Sequence, residues 1–241
     1  YGVSIDSRTL QPGDLFVALQ GVSQDGHVFV EKAVHNGAAA VLVSQKIDGL
    51  NCPQIVVFDT LKALQEMAQF ARMRSHATII AITGSVGKTS TKEILAHVLA
   101  EFGPVSYSLA SFNNHWGVPL SLARLPVEAK FGIFEIGMNH VGEIAPLVML
   151  VQPHISLITT IAPAHIGNMG GMQAIAAEKA VIYSGLVSGG TAIIPYDTEF
   201  YTFLSAVAAQ YSPRQTISFG EGEGADIQLI DYPPGVDAGR V

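Results

Sequence analysis

The run Ala81-Ile82-Thr83-Gly84-Ser85-Val86-Gly87-Lys88-Thr89-Ser90 stands between a β-branched stretch and a helical one. Residues 78–83 predict a short strand, and residues 88–102 predict a helix that Gly103-Pro104 stops. A strand that passes through a glycine-bearing turn into a helix is the context a phosphate-binding loop requires. Glycines let the backbone close on phosphate oxygens, and amide N–H groups at the helix N-terminus face the anion. On this reading Thr83, Gly84, Ser85, Val86, Gly87, Lys88, Thr89 and Ser90 bind the phosphates of a nucleotide. Lys88 neutralises the β- and γ-phosphates, and the Thr89 hydroxyl holds Mg²⁺. One position departs from the general pattern: Ile82, not Gly, stands five residues before Gly87. The bland alternative is an ordinary strand–turn–helix.

Outward from this loop the chain alternates strand and helix. Downstream, residues 104–108 are compatible with a strand, and 119–125 predict a short helix ended by Pro126. Strands are predicted at 131–136, 154–161 and 191–195, with helices at 142–151 and 172–187. Strands that are apolar on both faces and separated by helices predict a parallel sheet covered on both sides. Upstream, strands are predicted at 14–19, 39–43 and 55–58, with helices at 29–36 and 61–75. The fold class is therefore α/β, with a smaller unit at 1–76, a phosphate-loop unit at 77–241, and a boundary near residues 75–77.

Composition excludes several classes. With 241 residues, 49% hydrophobic and 14% charged, the chain is far too apolar for disorder. Its single cysteine, Cys52, rules out a disulfide framework or a cysteine zinc site and fits a reducing, cytoplasmic setting. A net charge of −7 argues against a nucleic-acid partner. Residues 144–177 carry no Asp, Glu, Lys or Arg, but Pro153 and Pro163 interrupt the run. A helix end followed by a buried strand explains it better than a membrane span. The chain begins at Tyr1 and ends in Gly-Arg-Val, which reads as a fragment.

Further candidates sit near predicted strand ends, where open α/β sheets bind ligands. Glu135 closes an apolar strand, where a carboxylate is costly unless it is paired or on a metal. A structural ion pair would serve equally. His165 lies in the loop after the 154–161 strand, a place where histidine has many ordinary uses. Lys179 falls inside the stripe Met172, Ile175, Ile182, Leu186, where a hydrophobe is expected. A lysine that snorkels to water is the alternative, and Glu178 is expected to point into solvent. Asn113-Asn114-His115-Trp116-Gly117-Val118-Pro119 is a polar loop entering a helix, suited to touching an anion or to plain turn chemistry.

Taken together, these motifs resemble the Mur ligase superfamily of peptidoglycan synthesis. The loop 83–92 is similar to its ATP site, and Asn113-Asn114, Glu135, His165 and Lys179 follow in the family's order. Glu135-Ile136-Gly137-Met138-Asn139-His140-Val141-Gly142-Glu143-Ile144 resembles the branch that adds D-Ala-D-Ala. The diamino-acid-adding branch and the folylpolyglutamate synthases carry other segments there. Asp6-Ser7-Arg8, Pro12-Gly13-Asp14-Leu15-Phe16 and Asp25-Gly26-His27 resemble the family's UDP-sugar-peptide domain. The resemblance implies an ADP-forming ligase that joins UDP-MurNAc-tripeptide to D-Ala-D-Ala, in the cytoplasm and as a monomer. It implies that Thr89 and Glu135 hold one Mg²⁺, and that His165 and a carbamylated Lys179 hold a second. Lys88 and Asn114 meet the transferring phosphate, while Ser7, Arg8, Asp25, Gly26 and His27 bind the UDP-sugar substrate. It also implies a C-terminal Rossmann-like domain, absent here, that supplies adenine contacts and much of the D-Ala-D-Ala site. Ser111, Val181 and Pro195-Tyr196-Asp197 depart from the family's pattern. A different Mur-type ligase and a non-catalytic nucleotide or UDP-sugar binder remain as alternatives.

Overall fold

The computed structural model describes residues 2–21, 24–108, 112–163 and 170–230. Two parallel sheets organise them. The first runs in chain order: β1 (Val3–Ser4), β2 (Leu15–Val17), β3 (Ala40–Val43) and β4 (Gln54–Val56). Phe16, Val41 and Val43 pack against Val30 and Ala33 of helix α1 (Val30–His35). The other face brings Val17 and Leu42 onto Leu64 of α2 (Thr60–Met73). Residues that alternate along a strand thus feed cores on opposite faces, which is why these strands read as continuous apolar runs.

Helix α2 joins the two sheets. Asp59 caps it by accepting from Leu61 N and Lys62 N, both at 2.9 Å. Near its end the buried Arg72 donates to Val151 O at 2.8 Å and to Gln152 O at 2.7 Å. Those carbonyls close the helix over Ile144–Val151, so the guanidinium locks α2 to the second unit and satisfies C-terminal groups that would otherwise be orphaned.

The second sheet has the order β11-β10-β9-β8-β5-β7-β6. In chain order its elements are β5 (Thr78–Thr83), α3 (Lys88–Ala100), β6 (Val105–Tyr107), α4 (Gly117–Ala123), β7 (Phe131–Glu135), α5 (Ile144–Val151) and β8 (Ile155–Ile158). Then follow α6 (Met172–Ala180), β9 (Thr191–Pro195), α7 (Tyr201–Ala209), β10 (Gln215–Gly220) and β11 (Ile227–Gln228). Ile79 and Ala81 face the main core, while Ile80 and Ile82 join Ala96 of α3 on the other side. Strand β5 lies between β7 and β8, so the order of connection reverses at its end. That switch point is where open α/β sheets take ligands, and the loop 84–87 emerges there.

Several expectations are corrected. The helix predicted over 172–187 is α-helical only to Ala180 and tightens to a 3-10 turn over Val181–Gly185. Within that turn the wholly buried Tyr183 donates to Ile193 O at 3.1 Å. Gly185 lies so close to the Val148 backbone that a Cβ would not fit. The strand expected at 55–58 is Gln54–Val56, and Phe58 is fully exposed. Helix α7 and strands β10 and β11 extend the sheet beyond the last element predicted from sequence. Among the described residues no helix is long and apolar enough to cross a membrane.

Candidate active site

Gly84 and Gly87 shape the turn between β5 and α3. Gly84 has φ +152° and runs so close to the Thr159 side chain that a Cβ there would collide with its hydroxyl. Gly87 caps α3 with φ +84°, a conformation glycine enters freely. The loop is then pinned to the strand beside it. Ser85 N donates to Thr160 O at 2.9 Å, Ser85 Oγ donates to Ala162 O at 2.8 Å, and Thr159 Oγ1 donates to Val86 O at 2.6 Å. Thr83 Oγ1 is buried with no partner among the described residues. Gly84→Ala is expected to destabilise the chain by about 1–3 kcal/mol, the usual cost of overpacking. Urea denaturation measures it. Thr159→Ala should restore only part, because a Gly84 Cβ would still meet the residue 159 backbone.

Around this loop the structure gathers Lys88, Thr89, Asn113, Asn114, Glu135 and Lys179. A cavity of about 230 Å³ is lined by Gly84, Lys88, Asn113, Asn114, Glu143 and Lys179, among others. The Lys88 ammonium donates to Gly84 O at 2.8 Å. Burial holds it below the usual lysine range, and the Glu135 carboxylate acts in the opposite sense. Glu135 is 2% exposed and fully engaged. Thr89 Oγ1 donates to its Oε2 at 3.0 Å, and Asn113 Nδ2 donates to its Oε1 at 2.9 Å. Asn114 lines the cavity, but its Oδ1 is used to cap α4, accepting from Trp116 N at 3.1 Å and Gly117 N at 2.9 Å. His165 lies outside the described residues.

Lys179 is 3% exposed. Burial, and then repulsion from Lys88, bring its pKa down to about 8, while Glu178 acts the other way. The expectation that Glu178 is solvated is overturned: it is buried, and accepts from Gly142 N at 2.9 Å and Ile144 N at 3.0 Å. Ile144 N is the first amide of α5 and Gly142 N lies just before the helix, so the carboxylate meets an amide not satisfied within the helix and lies where the helix dipole favours a negative charge. The same bonds tether α6, and with it Lys179, to the segment after β7.

The donors suit the groups the sequence pointed to. A threonine hydroxyl and one carboxylate form a sparse, hard-oxygen set, as Mg²⁺ prefers when phosphates and water supply the rest. The glycine-built turn at a helix N-terminus suits phosphate.

A second cavity, of about 860 Å³, is lined in part by Ser106, Tyr107, Ser108 and Phe112 and reaches Ser4 of the small sheet. Ser7 and Arg8 line it, with Gln24, Lys32, Ser108 and Arg124. The exposed Arg8 forms a two-pronged pair with Asp6, Nε to Oδ1 at 2.9 Å and Nη2 to Oδ2 at 2.6 Å. Asp25, Gly26 and His27 are not in the lining of this cavity and bond within the chain. Asp25 Oδ1 accepts from His27 N at 2.9 Å and pairs with His27 Nδ1 at 2.6 Å. His27 Nε2 accepts from Ser44 N at 2.8 Å, so both ring nitrogens are engaged within the chain. Gly26 packs directly on the Leu19 backbone.

Sequence reasoning missed the parts played by Asn113, Lys92 and Glu178. Asn113 carries no sequence signal of its own beyond the polar loop 113–119. Lys92 had a signal: it continues the spacing Lys88, Lys92, Ala96 onto the buried face of α3.

Comparison with known proteins agrees with this geometry. The signature described as "Mur ligase middle domain" matches residues 82–234, and that described as "Mur ligase family, catalytic domain" matches residues 1–72. The UDP-N-acetylmuramoyl-tripeptide–D-alanyl-D-alanine ligase of Escherichia coli is 42% identical over 195 residues, covering 81% of this chain and 43% of that protein. The ligase of the same name from Rickettsia prowazekii is 38% identical, covering 95% of this chain and 51% of that protein. The crystal structure of MurF from Acinetobacter baumannii superposes with a TM-score of 0.82 at 38% identity, over 93% of this chain and 48% of that one. MurF from Thermotoga maritima, solved in complex with ADP, superposes at 0.80 with 27% identity, over 97% of this chain and 54% of that one. The chain spans about half the length of these relatives. With a family signature across most of its length and a phosphate loop built as the geometry requires, this chain belongs to the Mur ligase family.

Proposed function

We propose that these 241 residues carry the nucleotide and UDP-sugar-peptide sites of an ATP-dependent ligase that joins UDP-MurNAc-tripeptide to D-Ala-D-Ala. The observation that carries the reading is the convergence of Lys88, Thr89, Glu135 and Lys179 at the end of β5. The relatives' shared name supplies the substrates. The division into a substrate-binding unit over 1–76 and a nucleotide-binding unit from 77 onward belongs to the same reading. The 860 Å³ cavity is the place for the UDP-sugar and its peptide. ATP dependence places the reaction in the cytoplasm.

Chemically, the tripeptide carboxylate attacks the γ-phosphorus of ATP. A new O–P bond forms and ADP leaves. The amine of D-Ala-D-Ala then attacks the acyl carbon, the amide forms, and phosphate departs. Carboxylate and phosphate repel each other, so holding them in line and neutralising charge carry the first step. The residues divide the work accordingly. The amides of 86–88 and the Lys88 ammonium bind and orient the phosphates. Thr89 and Glu135 would hold Mg²⁺, and Asn113 fixes the carboxylate in the orientation that offers it. Lys179, with His165, would hold a second ion. Bound there, Mg²⁺ supplies positive charge at the transferring phosphoryl group. Asn114 lines the smaller cavity with Lys88, where the transferring phosphate would lie.

Calorimetric titration of the chain tests the reading. Saturable binding of both Mg·ADP and UDP-MurNAc-tripeptide is expected, and binding of neither would overturn it. Residues 1–241 alone are expected to give no ligation product above blank, because the family resemblance assigns much of the D-Ala-D-Ala site to a C-terminal domain and the chain spans about half of its relatives. Robust ligation would refute that division of labour.

A further inference from the structure

Lys92 is wholly buried, and no step described so far uses it. It stands one helical turn beyond Lys88 on α3, so the two lysines share a face. Its ammonium donates to Ser108 O at 2.6 Å, meets Glu93 Oε1 at 3.2 Å, and stands 4.0 Å from Glu135 Oε2. Burying an ammonium is costly unless it is paired and hydrogen-bonded, and an aliphatic side chain would fill the position without that cost. The contacts explain the choice, because they reach residues associated with both cavities. Ser108 lines the larger cavity. Glu135 stands behind the smaller one, held there by Thr89 and Asn113. Phe112 and Asn113, neighbours in sequence, line the larger and the smaller cavity respectively. Lys92 therefore faces one oxygen of the Glu135 carboxylate while Asn113 holds the other, and Lys92 also reaches the lining of the larger cavity through Ser108 O.

We infer that Lys92 is a positioning residue that couples the two cavities. The inference rests on reading the smaller cavity as the nucleotide site and the larger as the UDP-sugar-peptide site. When Glu135 is engaged by Mg·nucleotide its pull on the ammonium weakens. The ammonium, which already donates to Ser108 O at 2.6 Å, is then held by that carbonyl and Glu93 alone, which steadies the edge of the larger cavity against which the second substrate packs.

The experiment compares the affinity of the chain for UDP-MurNAc-tripeptide with and without saturating Mg·ADP, in wild type and in Lys92→Met. In wild type, Mg·ADP should tighten the second ligand about fivefold or more, within the usual range of site-to-site coupling. In Lys92→Met each ligand alone should bind within about threefold of wild type, while the tightening should fall below about twofold. A lysine that merely supports the fold would weaken both ligands together and leave the tightening unchanged, and that result overturns the inference. Wild-type protein that binds both ligands without coupling also overturns it, and leaves the assignment of the two sites standing. Wild-type protein that binds neither refutes the site assignment itself. If Lys92→Met does not fold, the wild type still decides. The ¹⁵N resonance of the Lys92 ammonium, distinguished from that of Lys179 with Lys179→Ala, should shift on adding either ligand. A resonance that ignores either one overturns the coupling.

Discussion

Lys88→Ala is expected to lower the affinity of the chain for Mg·ADP by one to two orders of magnitude while its melting temperature without nucleotide barely moves. A hydrogen bond to a charged group contributes about 1.5–3 kcal/mol, which corresponds to roughly 10–150-fold. Lys88 is the cation of the loop itself, so phosphate loses its nearest positive charge along with the bond. The fold loses little. The side chain is half-buried, heads α3, and makes one intrachain hydrogen bond, to Gly84 O. The residual charge of Glu135 is still faced by Lys92 at 4.0 Å and still accepts from Thr89 and Asn113. A second consequence follows from repulsion: Lys88 helps to hold the Lys179 pKa down, so its removal should raise that pKa above about 8. Calorimetry, thermal denaturation and an NMR titration of Lys179 read the three effects separately. Near-normal nucleotide affinity in Lys88→Ala would show that the loop does not grip phosphate.

The phosphate loop was legible from sequence because its physics is local. Two glycines, a lysine and a threonine between a β-branched run and a helix leave few other conformations, and Gly84 and Gly87 take the φ angles that exclude other residues. Lys179 was legible for a different reason: it violated the apolar stripe around it, and violations of pattern mark function more often than chance. Glu178, one residue away, was misjudged by the same logic. A helical wheel assigns solvent to the neighbours of a buried position, but α6 is covered on that side as well, by the first turn of α5. Only the tertiary contact supplies the two amides that make burying Glu178 affordable. Lys92 was missed because its partners, Ser108 and Glu135, are distant in sequence and unpredictable from α3 alone. Strands β10 and β11 were missed because they lie among Gly, Pro and polar residues and owe their pairing to the edge that β9 offers.

Lys179→Ala is expected to abolish the strengthening of nucleotide binding by excess Mg²⁺, and short carboxylates added to solution should restore part of it. The argument starts from geometry. Lys179 is buried, lines the smaller cavity with Lys88, and sits on a helix that Glu178 ties to the segment after β7. As an ammonium it would repel both Lys88 and any bound cation. Its pKa of about 8 leaves a sizeable neutral fraction near neutrality, against 10.5 for an ordinary lysine. A neutral amine attacks carbon dioxide: an N–C bond forms, one proton is lost, and the product is a carbamate, an anion on a long arm. Such a group would turn a repelling cation into a metal ligand. The sign of the pH dependence follows. Without carbon dioxide, the penalty of burying the ammonium is fully present below about pH 8 and is relieved as pH rises toward 10.5, where the unfolded chain also loses its proton. Lys179→Met should therefore gain stability over wild type at pH 7 and lose that advantage at pH 10, measured in urea. With ¹³C-bicarbonate the wild type should show a carbamate carbon signal that grows with pH and disappears in Lys179→Ala. A Lys179→Ala protein that responds to Mg²⁺ as wild type does would remove Lys179 from the metal site. Loss of the response without rescue, together with no ¹³C signal, would leave the lysine in place and discard the carbamate.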